Sequence, residues 1–209
     1  GLEKLDLAAA ARREIKVAYT PDVMTEDVAD AAIGLMYGAA RLVAEADRFV
    51  RAGRWGPERM RPGLSLHRKT AGIVGMGRIG QAISRRCAGL GMTVAWTGPR
   101  AKPELPWRRE ADLQSLAVIS DVLILAVPGG ASTDGMVDAE VLRALGPRGV
   151  LVNIARGAVV LEEALITALQ QGTIAGAGLD VFAREPALDP RFLTLENVVL
   201  APHSASLTR

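Results

Sequence analysis

The 209-residue chain carries 25 Lys and Arg against 23 Asp and Glu, a net charge of +2, and is 49% hydrophobic. That composition describes one domain, or one domain with part of another, with ample material for a core, and it excludes disorder. The arginines are scattered, which leaves no electrostatic footprint for nucleic acid, and the lone cysteine, Cys87, excludes a disulfide framework and a cysteine-based metal site.

The first residues show no signal-peptide pattern, and a cytoplasmic setting fits. Residues 4–13 read as a short helix and Ile15–Tyr19 as a strand, punctuated by Thr20-Pro21. Thr25 to about Arg51 reads as one long helix, with Thr25 as its N-cap and Glu26 and Asp27 in the first turn. The apolar stretch 31–40 is bounded by Asp30 and Arg41 and is too short to span a bilayer, so no membrane partner is expected. Residues 53–69, rich in Gly, Pro and Arg, have no period and read as an extended connection.

From residue 70 apolar runs alternate with helical patterns. Strands are expected at 70–75, 92–97, 121–127, 149–155, 174–179 and 197–200, and helices at 78–90, 111–118, 138–145 and 161–171. Short buried strands alternating with helices predict an α/β fold with a doubly wound parallel sheet of the Rossmann type.

The pattern Gly75-x-Gly77-x-x-Gly80 follows the first of these strands and opens a helix through Arg78 and Ile79. In that context it is a dinucleotide signature. Gly75 makes the turn, Gly77 lets backbone approach a pyrophosphate, and Gly80 permits close helix–strand packing. The helix N-terminus supplies N–H groups for the phosphates. The second strand then ends in "TGPRAK", without the acid that normally holds the adenosine ribose. Thr97, Arg100 and Lys102 offer a hydroxyl and two cations instead. A 2′-phosphate needs cations where a bare ribose needs a carboxylate, so NADP(H) is expected over NAD(H), with solvated loop charges as the alternative.

Four polar residues follow later strands: Arg156 after "VLVNIA", Asp180 ending "AGAGLD", Glu185 in "VFAREP", and His203 in "VVLAPH". Ligands bind outside the carboxyl ends of strands in open parallel sheets, which gathers these four on one edge. Each has an ordinary explanation alone; together, beside a dinucleotide loop, they suit hydride transfer. Histidine can protonate a ketone oxygen, a carboxylate on its other nitrogen would orient it and favour its charged form, and an arginine fork can grip a carboxylate. The other histidine, His67, lies in the irregular connection without a strand end or an acid nearby.

The segments "GMGRIGQAI", "NIARGAVV", "GAGLDVFAREP" and "NVVLAPH", with "TPDVMTEDVADAAIGLM" and "EADRFVRAGRW" before them, resemble the D-isomer-specific 2-hydroxyacid dehydrogenases, with the glyoxylate/hydroxypyruvate reductase branch nearest. The resemblance implies Arg156, Glu185 and His203 as the catalytic set, with Asp180 on the nicotinamide carboxamide. Val127, Pro128 and Ala155 would flank the nicotinamide ribose. It implies a small 2-oxo or 2-hydroxy acid as substrate. It also implies a homodimer in which Trp55 of the arm packs on a second copy or on its own chain.

Its domain plan assigns 1–20 to the remnant of a substrate domain. Residues 21–203 are the dinucleotide-binding domain, including a dimerisation helix and arm at 25–69, and 204–209 form a hinge toward the missing substrate domain. On that plan the backbone amides that hold the substrate carboxylate lie before Gly1, and turnover by this chain alone is in question. Two positions depart from the family pattern. Pro99 stands where NADPH-preferring members often have arginine, and Ala205 where glycine is usual. Two other readings stay open: a dinucleotide-sensing corepressor or scaffold, and phosphite or formate oxidation on the same scaffold.

Overall fold

The computed structural model describes residues 5–18, 20 and 22–209. Strands β1 (Thr70–Val74), β2 (Thr93–Thr97), β3 (Arg108–Arg109), β4 (Val122–Leu125), β5 (Val150–Asn153), β6 (Gly176–Leu179) and β7 (Val198–Leu200) form one sheet in the order β3-β2-β1-β4-β5-β6-β7. Every pairing is parallel. This is the expected doubly wound Rossmann sheet, in which the order of strand addition switches sides between β1 and β4.

Helices α1 (Leu7–Arg12), α2 (Thr25–Ala40), α3 (Val43–Arg51), α4 (Arg78–Gly89), α5 (Leu113–Ile119), α6 (Ala139–Leu145) and α7 (Glu162–Gln171) complete the fold. Helices α2 and α4 cover one face with Ala32, Met36, Ala82, Ile83 and Cys87 against Ile73, Trp96, Ile124 and Val152. Helices α5–α7 cover the other with Leu116, Leu142, Leu165 and Ile166 against Leu123, Leu125 and Leu151. Each large side chain so buried contributes about 1.5–3 kcal/mol. Cys87 is one of these core groups, and burial pushes its thiol up to about 12, which keeps it neutral.

Four expectations need correction. The long helix is two helices, because Leu42 adopts a left-handed conformation (φ 59°). The carbonyl of Ala40 accepts from Leu64 N at 2.7 Å instead of continuing the helix. The N-cap of α2 is Met24, without a side-chain bond, and Thr25 is already helical. Residues 15–18 form no strand, since they have no pairing partner among the described residues, and Ile15 is exposed; Tyr19 lies outside the described residues. Strand β3 was not expected, because two arginines carry no apolar alternation. The other helices and strands agree with expectation to within two residues at each end, apart from the start of α1, which begins at Leu7 and not at residue 4. Asp112 caps α5 through Ser115 N, and Asp138 caps α6 through Glu140 N and Val141 N.

Among the described residues no helix is long and apolar enough to cross a membrane.

Close packing of α4 on β1 depends on Gly80: a Cβ there would stand 2.0 Å from the Gly75 carbonyl oxygen. Gly80→Ala is expected to lower stability by about 1–3 kcal/mol, read from urea unfolding midpoints. An unchanged midpoint would mean that helix and turn can separate freely.

Candidate active site

The dinucleotide loop is built as its spacing requires. Gly75 has φ +95°, a conformation that L side chains rarely adopt, and its N–H donates to the Thr97 carbonyl at 3.0 Å. Helix α4 begins after Gly77 with no side-chain cap, so its first N–H groups have no side-chain acceptor. A Cβ built on Gly77 would meet nothing within 4 Å and would project into open space. That open cradle over a helix N-terminus fits a pyrophosphate.

A cavity of about 350 Å³ extends from it and is lined by Gly77, Arg78, Ile79, Val127, Pro128, Ala155 and Arg156, among others. Seven of the expected site residues therefore share one cleft at the carboxyl ends of β1, β4 and β5. Asp22 and Thr25 also line it, and Asp22 Oδ1 lies 2.7 Å from Arg78 Nε. No local motif announces that pair, because 56 positions separate its members.

Buried Asn153, which the motifs did not single out, sets the loop after β5. Its Oδ1 accepts from Ala155 N (3.0 Å) and its Nδ2 donates to the Arg156 carbonyl (3.1 Å). The Arg156 guanidinium donates to the Ala155 carbonyl at 2.7 Å. The next residue, Gly157, lies against the Phe182–Ala183 backbone, where a Cβ would come within 1.9 Å. The Arg156 loop and the segment carrying Glu185 are thus in direct contact.

His203 Nδ1 lies 2.6 Å from Glu185 Oε2, and Glu185 Oε1 accepts from Phe182 N at 3.0 Å. The two side chains line a second cavity of about 490 Å³, whose other walls include Phe182, Leu188, Leu193 and Leu200. His203 has φ +53°, an uncommon conformation for a non-glycine residue that costs of order 1 kcal/mol. Asp180 is what holds it there. One carboxylate oxygen accepts from Ser204 N (2.8 Å) and the other from Ala205 N (3.0 Å). Asp180 is buried, so in this arrangement it positions the histidine loop.

Thr97, at the end of β2, is buried and does not line this cleft; its hydroxyl donates to the Glu110 carbonyl at 3.2 Å, so its proton is already used. Arg100 is exposed and Lys102 half-buried. A larger cavity, about 560 Å³, lies between α6 and α7 and contains none of the expected residues. Its two acids are engaged elsewhere, Glu162 by Ala183 N and Glu163 by Arg191. Among the described residues no group of His, Cys, Asp and Glu could hold a metal ion.

Removing one acceptor of Asp180 tests its positioning role. Asp180→Asn is expected to destabilise the 203–205 loop by about 1–3 kcal/mol, measured as faster amide hydrogen exchange at Ser204 and Ala205. Unchanged exchange at both amides would remove the carboxylate from that role.

Comparison with known proteins agrees with this fold. Residues 33–205 match the NAD binding domain of the D-isomer specific 2-hydroxyacid dehydrogenases. The chain is 50% identical over 208 residues to the 2-ketogluconate reductase of Gluconobacter oxydans, covering 100% of this chain and 67% of that protein. It is 42% identical to a glyoxylate/hydroxypyruvate reductase of Arabidopsis thaliana, covering 100% and 66% respectively. Among solved structures, the NADPH-dependent glyoxylate/hydroxypyruvate reductase of Sinorhizobium meliloti, in complex with NADP and malonate, superposes with a TM-score of 0.93 at 47% identity, over 100% of this chain and 66% of that one. The chain spans about two thirds of the length of these relatives. With its sheet order, its phosphate loop and its matched residues, the chain belongs to the D-isomer specific 2-hydroxyacid dehydrogenase family, of which it holds the dinucleotide-binding domain.

Proposed function

We propose that the protein reduces a small 2-oxo acid, such as glyoxylate or hydroxypyruvate, to the D-2-hydroxy acid, with NADP(H) as the preferred carrier and NAD(H) as the lesser one. The observation that carries this reading is the 2.6 Å pair between His203 and Glu185, at the same sheet edge as the Gly75–Gly80 loop.

A nicotinamide held at this edge would supply the hydride. His203 holds the proton that the carbonyl oxygen receives. With Nδ1–H directed at the Glu185 carboxylate, the proton on Nε2 is the one available to substrate. After it leaves, the Nδ1–H···carboxylate bond persists and fixes the tautomer. Phe182 N in turn fixes Glu185. Arg156 brings a permanent positive charge to the cleft beside Ala155, where it pairs with the substrate carboxylate and draws on the carbonyl oxygen. Val127, Pro128 and Ala155 give the cleft its walls and would hold the nicotinamide ribose, and Asp180 is the group proposed to bind the carboxamide.

The same reading assigns residues 1–20 and 204–209 to the substrate domain and its hinge. It takes the assembly as a homodimer through the helix and arm at 25–69. In support, Val43, Val50 and Trp55 are exposed, Trp55 at 77%. A cytoplasmic setting goes with the single, buried, reduced thiol of Cys87.

In the intact protein His203→Ala is expected to lower kcat/KM for 2-oxo acid reduction by about 10²–10⁴-fold. Arg156→Ala is expected to lower it about tenfold to a hundredfold, chiefly through KM. NADPH affinity should be nearly unaffected in both. A near-native kcat/KM in either variant would remove that residue from its role.

A further inference from the structure

Four cations stand around the end of β2: Arg100, Lys102, Arg108 and Arg109, and residues 98–103 contain no carboxylate. They are not equivalent. Arg108 Nε lies 2.5 Å from Glu110 Oε1, an ion pair out of hydrogen-bonding alignment, since that oxygen has no hydrogen-bond partner. Its charge is largely neutralised. Arg100 and Lys102 make no side-chain hydrogen bond or ion pair among the described residues. Using either would require ordering a long side chain at the cost of its rotamer freedom.

Arg109 differs from all three. It sits in β3 in register with Trp96, its guanidinium centre 5.7 Å from the Trp96 ring centroid. Its Nη2 donates to the Gly98 carbonyl at 2.8 Å. That carbonyl anchors the guanidinium without neutralising it, and no carboxylate among the described residues pairs with it. The anchor point adjoins the phosphate loop. Gly75 N holds the Thr97 carbonyl, and a Cβ on Gly98 would lie 3.9 Å from Met76 N. In this fold the adenosine ribose lies beyond the end of the second strand.

Resting on the NADP(H) reading above, we infer that Arg109 is the residue that selects the 2′-phosphate. The cation is supplied by β3, pre-oriented by Gly98 and Trp96, rather than by the loop that carries Arg100 and Lys102. An arginine fork held this way keeps further N–H donors for phosphate oxygens and loses little entropy on binding.

The test measures dissociation constants of the intact protein for NADPH and NADH, and for adenosine 2′,5′-bisphosphate and 5′-AMP, at fixed salt. Arg109→Ala should weaken NADPH and the bisphosphate at least about tenfold while NADH and 5′-AMP stay within about twofold. Arg109→Lys should recover part of the loss, and Arg108→Ala should show no such selective effect. Equal loss of phosphorylated and unphosphorylated ligands would make Arg109 only a latch between β3 and β2 and would overturn the inference. So would unchanged NADPH binding by Arg109→Ala in a protein whose wild type prefers NADPH. A wild type that binds NADH more tightly overturns the NADP(H) reading itself, and the inference with it.

Discussion

The central sheet is covered by helices on both faces, and that constraint governs everything else in the molecule. Residues such as Ile73, Leu123, Ile124, Leu151 and Val152 are fully buried, so the strands cannot carry polar chemistry along their length. An unpaired polar group there would cost several kcal/mol, of order 2–7. Polar groups can appear only where the strands end. Because all seven strands are parallel, every carboxyl end lies on one edge. The phosphate loop, Arg156, Asp180, Glu185 and His203 therefore share an edge as a consequence of topology. A guanidinium at the tip of a core strand, as at Arg156, is where this sheet permits a fixed charge.

Within that edge, precision comes from backbone-directed side chains. Asn153 clamps the Arg156 loop, Asp180 clamps the His203 loop, and Phe182 N fixes Glu185. Each uses bonds to main chain, which hold the groups of the proposed site in fixed orientations. The contact of Gly157 with Phe182–Ala183 joins the two loops. It ties the loop that lines one cavity through Arg156 to the segment that lines the other through Glu185.

Much of this was legible in the sequence because it is encoded locally. Glycine spacing after an apolar run, strand–helix alternation, and polar residues placed just past strands all depend on near neighbours. What escaped notice depends on distant partners. The break at Leu42 follows from Leu64 capping Ala40, and strand β3 exists only because Trp96 lies beside Arg109. Asp22 reaches Arg78 across 56 positions, and nothing in either segment signals it. Thr97 was correctly placed at the strand end, yet its proton is taken by Glu110, whose carbonyl arrives with β3. Asp180 was expected to face the cofactor, and its backbone bonds to Ser204 and Ala205 became evident only with the loop in place.

The most direct test of the account is a crystal structure of the intact protein with NADP and oxamate, a 2-oxo acid analogue. The account predicts the pyrophosphate on the N–H groups at the start of α4. It also predicts the oxamate carboxylate on Arg156 and its carbonyl oxygen within hydrogen-bonding reach of His203 Nε2. A dinucleotide bound elsewhere, or oxamate out of reach of both Arg156 and His203, would contradict it.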